Sequence, residues 1–290
     1  MAKAQPSETN ERRFCWEQVL RTNRLFRISR VFAPASHVNR LLPLYALFGA
    51  VEELCSEHSD EDVARRKLDW WRNETQQMDV RGSDHPILRE LAQSGAGALL
   101  RSDSLERLFV DAESRLDPAP LTSMEDLRER CRQLSQARFE LELSLWGRVQ
   151  DHEPSVAAVA VSSGLAQLFR EAARRAAPGN YWWLPLSTLA QHGVGRAEID
   201  QAEGTEPVRA LFEDIIGECC ERSLQAMPNA TSPLSAGEPA RHLLVIAALE
   251  SHALGRVAAG RSRQVAPELN RVGLPQLFRA WNVARRVSRP

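Results

Sequence analysis

Leu41-Leu42-Pro43-Leu44-Tyr45-Ala46-Leu47-Phe48-Gly49-Ala50-Val51-Glu52-Glu53-Leu54-Cys55-Ser56-Glu57 is the stretch on which the fold turns. Leu41, Leu44, Tyr45, Phe48, Val51 and Cys55 recur at spacings of three and four, which predicts a helix with one buried face. Ser36 is placed to cap that helix. Pro43 falls within its second turn, so the regular part is expected to begin there. The apolar stripe runs into two adjacent carboxylates, Glu52 and Glu53, with Ser56 and Glu57 one turn later. Positions 52 and 56 lie four apart on one side of a helix, where a metal ion or a diphosphate can be gripped. An exposed acidic helix end is the commoner meaning of such a pair, and both readings stand at this point.

Outward from this stretch, every periodic segment has the helical repeat. Residues 1–11 are polar and are expected to be disordered, which leaves one domain over residues 12–290. A first helix is expected from Arg12, through Trp16, Val19, Leu20 and Asn23-Arg24-Leu25-Phe26, to a stop before Pro34. Asp60 caps a helix carrying Val63, Lys67, Trp70, Trp71 and Glu74, with the Trp pair read as core. A short helix follows His85-Pro86, and another spans Ser104–Arg115. Thr122-x-x-Glu125 reads as a capping box for a long helix that buries Leu127, Cys131, Leu134, Arg138, Leu141 and Leu145. Its Arg128, Glu129, Arg132 and Glu142 are expected to be solvated. Pro154 starts a helix at its first position that Pro178-Gly179-Asn180 stops. Further helices are expected over Val208–Met227, Arg241–Ala259 and Leu274–Val287, the last with Leu277, Phe278 and Trp281 on one side. No alternating strand pattern or repeat interrupts them, so the fold class is all-α.

Composition narrows the function classes. The 290 residues are 43% hydrophobic and 26% charged, as in ordinary globular domains. A formal charge of −1 gives no general attraction to nucleic acid. The five cysteines are odd in number and lack C-x-x-C spacing, so buried reduced thiols are expected. No secretory signal is expected in residues 1–13, and the apolar runs are far shorter than the ~18 residues of a membrane span. These features imply a cytoplasmic protein, or one peripheral at a membrane. The seven histidines make no H-x-x-x-H or H-E-x-x-H pair, and no Gly-rich phosphate loop or nucleophile elbow is present.

Residues 45–57 resemble the first aspartate-rich motif of the squalene/phytoene synthase family, Y-A-x-C-R-x-x-D-D-x-x-D-E. Lys67-Leu68-Asp69-Trp70-Trp71-Arg72-Asn73-Glu74 is similar to its K-L-x-W-W-R-x-E helix, and Asp84-His85-Pro86-Ile87-Leu88 to its H-P-V turn. Leu184-Pro185 through His192-Gly193-Val194 resembles its L-P…G-V connector. The resemblance covers roughly Phe14 to Val287, and its specificity lies in the order of the blocks. It implies a single-domain isoprenoid-synthase-like helical bundle with a central cavity. Two aspartate-rich helices there would face each other across Mg²⁺ ions that hold the leaving group while two prenyl diphosphates condense. Ionising an allylic diphosphate requires neutralising the departing charge, and Mg²⁺ favours carboxylate oxygens at short octahedral distances.

The chain departs from that pattern at both motifs. Glu52 and Glu53 replace the paired aspartates as candidate metal ligands, Ser56 replaces the third acid, Glu57 keeps the last, and Gly49 stands where the family carries an arginine. Leu25-Phe26-Arg27 stands in place of S-F-Y. The second-motif region reads from Gly164 to Pro185 with Gln167, Arg170, Glu171, Arg174 and Arg175, and Glu171 is its only acid. Arginines opposite Glu52, Glu53 and Glu57 are expected to form a direct ion pair in place of a metal cluster. The expectation is a catalytically lapsed member that keeps the bundle to bind an isoprenoid-type ligand or to serve in protein assembly. A respiratory complex I assembly factor with a similarly eroded domain is the precedent within the family. The alternative is an active Mg²⁺-dependent prenyl transferase taking a prenyl diphosphate. Ala157, Ala158, Ala160, Gly164, Ala247, Ala248 and Ala253 are small enough either for close helix approach or for an apolar cavity.

Overall fold

The computed structural model describes residues 9–33, 35–56, 60–147, 153–174, 181–196, 199, 205–226, 241–259 and 269–287. Within them lie twelve α-helices and no strand: α1 Asn10–Thr22, α2 Phe26–Ser29, α3 Ala35–Ser56, α4 Glu61–Arg81, α5 Pro86–Gln93, α6 Ser102–Ser114, α7 Met124–Ser144, α8 Glu153–Arg174, α9 Leu186–His192, α10 Glu206–Ala226, α11 Arg241–Ala258 and α12 Leu274–Val287. Capping chemistry sets several of these ends. The Thr9 hydroxyl accepts from the Arg12 N–H, the Asp60 carboxylate from Val63 and His85 Nδ1 from Ile87, each satisfying a donor the helix cannot. The first helix breaks where the sequence reading ran on. Asn23 ends α1 by returning its N–H to Val19 O, and α2 and a 3₁₀ turn, Arg30–Phe32, carry the chain onward.

The organising helix is more deeply placed than its stripe implies. Leu42, Ala46 and Leu47, off the expected face, are as fully buried as Leu41 and Leu44, so α3 is surrounded along this length. It begins at Ala35, with Ser36 inside its first turn, and runs through Pro43 in its third. In α7 the capping box is one residue later than expected. Ser123 accepts from Asp126 N–H and the Asp126 carboxylate accepts from Ser123 N–H, while Thr122 adds its own N–H and hydroxyl to the same carboxylate. Trp71 is buried but Trp70 is 43% exposed; neighbours in sequence diverge by about 100° around a helix, so only one of the pair can face the core.

Helices α1, α3, α4, α5 and α6 enclose one apolar cluster, and α7 to α10 enclose another. Helix α11 joins them: Val245, Ile246 and Leu249 belong to the first, Ala253, Leu254 and Val257 to the second. Its small residues Ala247, Ala248 and Ala253 are buried. At Gly164 of α8 an added Cβ would fall 2.1 Å from the Cys131 carbonyl oxygen and 2.6 Å from its Cα. Helices α7 and α8 therefore touch backbone to backbone. A Cβ on Gly49 would lie 2.4 Å from Thr22 Oγ1, so α1 closes on α3 here through the Thr22 side chain.

Because the Gly164 neighbour is main chain and cannot rotate away, Gly164→Ala is expected to lower unfolding free energy by about 1–3 kcal/mol. At Gly217, a helical position with nothing within 4 Å, the same change is expected to raise it by about 0.5–1 kcal/mol. Urea unfolding of the two variants should separate them in opposite directions.

Candidate functional site

The two motif helices, α3 and α8, meet near the bundle axis together with α7 and α11. The C-terminal half of α3 supplies Tyr45, Phe48 and Glu52; α7 supplies Arg138 and Glu142; α8 supplies Gln167, Arg170 and Glu171; α11 supplies His242 and Glu250. Apart from Phe48 these are polar or ionisable, and most are nearly inaccessible. Burying an ionised group is tolerable only against a compensating charge and hydrogen bonds.

Each charge has its compensation. Glu52 Oε1 lies 2.8 Å from Arg138 Nη2, while Arg138 Nη1 donates to Gln167 Oε1 at 2.6 Å and its guanidinium stacks 4.8 Å from the Phe48 ring. One arginine of α7 thus ties a first-motif residue to a second-motif residue. Glu171 Oε2 lies 2.8 Å from Arg115 Nη1, both nearly fully buried, and Arg115 Nε approaches Asp111 Oδ2 at 3.3 Å. Burial alone lowers the Arg115 pKa, but the Cys55 sulfur and the Glu171 and Asp111 carboxylates outweigh it and raise it overall. Arg170 Nη2 lies 2.7 Å from Glu250 Oε1, again between two buried side chains.

Glu53, one residue on from Glu52, points elsewhere. It grips Arg21 of α1 in a two-pronged pair, at 2.5 Å to Nε and 2.8 Å to Nη2, and accepts from Gln18 Nε2 at 2.7 Å. The 100° step along a helix separates the two carboxylates, so the structure does not bring them together. The side chains of Ser56 and Arg174, at the last residues of α3 and α8, lie outside the described structure, as do Glu57 and Arg175 entirely. An ion pair from Arg174 or Arg175 to the first motif therefore falls outside it too, whereas Arg170 turns to Glu250.

A buried polar chain was not legible in the sequence. Glu142, expected in solvent, is 1% exposed. It accepts from the Tyr45 hydroxyl at 2.7 Å and contacts His242 Nδ1 at 2.9 Å, and His242 Nε2 lies 2.9 Å from Ser29 Oγ. Burial and the Glu142 charge push the Tyr45 phenol pKa well above its ordinary value. Arg138 and Glu142 are four apart on α7 and both face inward. The stripe Leu134, Arg138, Leu141, Leu145 carried that signal for Arg138 alone. The space left among Tyr45, Phe48, Arg138, Glu142, Arg170 and Glu250 is about 30 Å³. These side chains, with Ser163 and Ile246, line it from α3, α7, α8 and α11.

The sequence profile of the squalene/phytoene synthase family matches residues 21–277. No curated protein matches the chain. Among solved structures, one similar to it is that of a dehydrosqualene synthase in complex with ligand, with a TM-score of 0.69 and 14% identity, covering 96% of this chain and 95% of that one. Another is squalene synthase HpnC from Alicyclobacillus acidocaldarius, with a TM-score of 0.60 and 19% identity, covering 86% and 92% respectively.

If the motif carboxylates serve as partners of buried arginines, removing one strands a charge. Glu171→Ala in metal-free buffer is expected to cost about 3–5 kcal/mol. Carboxylates gathered to hold a cation would repel each other without it, and the same substitution would then raise the unfolding midpoint. Thermal unfolding with a chelator present reads the sign directly.

Proposed function

We propose, for a chain that belongs to the squalene/phytoene synthase family, that this member keeps the family's bundle but has lost its diphosphate-ionising chemistry, and acts as a scaffold in protein assembly. The observation that carries this reading is the Glu52–Arg138–Gln167 link. The first-motif carboxylate nearest the axis is already neutralised by an arginine of the same chain, and the second motif's acid is neutralised by Arg115.

Bound Mg²⁺ in such a site would supply neutralisation of a departing diphosphate. The residues present do not fit it. Among the described residues no three His, Cys, Asp or Glu side chains converge, and recruiting Glu52 or Glu171 would leave Arg138 or Arg115 to be re-paired in a buried setting. Gly49 supports the same conclusion. An arginine here would have to displace Thr22, which closes on this position from α1. The pocket lined by Tyr45, Phe48, Arg138, Glu142, Arg170 and Glu250 is about 30 Å³, against roughly 300–1,000 Å³ for a drug-sized ligand site. What these side chains do instead is fix four helices in register around the axis, which suits a role that depends on the outer surface.

Farnesyl and geranylgeranyl diphosphate incubated with the protein and Mg²⁺ are expected to release no more diphosphate than with a Glu52→Ala/Glu53→Ala control. Mg²⁺ is expected to leave the thermal midpoint unchanged. Diphosphate release well above that control would sink this reading in favour of an active prenyl transferase built on glutamates.

A further inference from the structure

Helix α12, Leu274–Val287, is turned the opposite way from its amphipathic pattern. Its small residues face the bundle: Ala280 and Ala284 are buried, and the helix packs on α11 and α2. Its large apolar residues face out, with Leu274 81% exposed, Phe278 64%, and Leu277 and Trp281 each 44%. Positions 274, 277, 278, 281 and 285 follow the three–four repeat, so the four apolar side chains and Arg285 form one continuous stripe. A contiguous apolar stripe of this size on a soluble domain marks a contact surface.

Charge identifies what it contacts. From Leu269 to Pro290 the sequence holds five arginines and no acid. Arg285 lies with its guanidinium 4.4 Å from the Trp281 ring centre, at the edge of the stripe. Helix α2, against which α12 packs, adds the exposed Arg27, with Arg24 exposed just before it, in a segment that has no acid between Gln18 and Glu52. Leu and Phe side chains flanked by Trp and arginine match an interfacial helix that sinks its apolar face to the headgroup boundary and pairs its cations with anionic lipid. Among the described residues no helix is long and apolar enough to cross a membrane, so such contact would lie along the surface. We infer that the outer face of α12 docks the protein on an anionic lipid bilayer. This does not depend on whether the bundle turns over a substrate.

The test is sedimentation of the full chain with vesicles of phosphatidylcholine alone and of an equal mixture of phosphatidylcholine and phosphatidylglycerol. Binding is expected to the mixed vesicles only, weakening as salt is raised. Phe278→Ser/Trp281→Ser, which removes two exposed rings, is expected to weaken it at least about tenfold with an unchanged thermal midpoint. Absence of binding to the mixed vesicles overturns the inference, and so does equal binding by the variant. It is overturned equally if light scattering finds a dimer of the unmodified chain that the same substitutions dissociate, since the stripe would then be covered by a second copy.

Discussion

Buried charge must be met by buried opposite charge, and the centre of this molecule is arranged by that requirement. Glu52, Glu171 and Glu250 are each buried against an arginine from another part of the chain: Arg138, Arg115 and Arg170. Such pairs are weak contributors to stability compared with well-packed apolar side chains, yet losing one partner is costly. They therefore act chiefly as register pins. Glu52 cannot slide along α3 without leaving Arg138, and Arg138 cannot follow without leaving Gln167. The polar chain Tyr45–Glu142–His242–Ser29 adds a second set of pins between α3, α7, α11 and α2.

Close helix approach makes those pins reachable. Gly164 lets α8 meet the main chain of α7 at Cys131, and Gly49 lets α1 close on α3 at Thr22. Side chains that would span a wider gap through water or a ligand meet directly at hydrogen-bond distance. Where helices approach this closely, the volume between them shrinks with the distance.

The helices were legible because their period is local, and the fold followed from the absence of any other period. What failed was direction. The stripe on α3 is genuine, but burial from every side added Leu42, Ala46 and Leu47, which no amphipathic pattern can announce. The Trp pair reads as core on hydrophobicity and the apolar side of α12 reads only as a side, because which side faces the core is settled by neighbours distant in sequence. The site was harder still. The departures from the family pattern at both motifs could be read directly, with Glu52, Glu53 and Glu171 as the acids left, and they implied arginine pairing. The arginines that do the pairing, Arg138 and Arg115, lie on α7 and just past the end of α6, outside any motif. Glu142 reads as solvated because the imidazole that meets it, His242, comes from a helix a hundred residues away.

The outward turn of α12 follows from the same constraint on distance. Helix α12 packs on α11, and the residues it buries in the cluster shared with Val245, Ile246 and Leu249 are the small Ala280 and Ala284. On a helix of this length, putting small residues inward forces Leu277, Phe278 and Trp281 outward, since they occupy the opposite arc. A purely structural helix would carry polar residues on that arc, at no cost to the inner contact. The inner packing therefore explains where the large apolar residues lie but not why they are there, and the surface itself has to supply that reason.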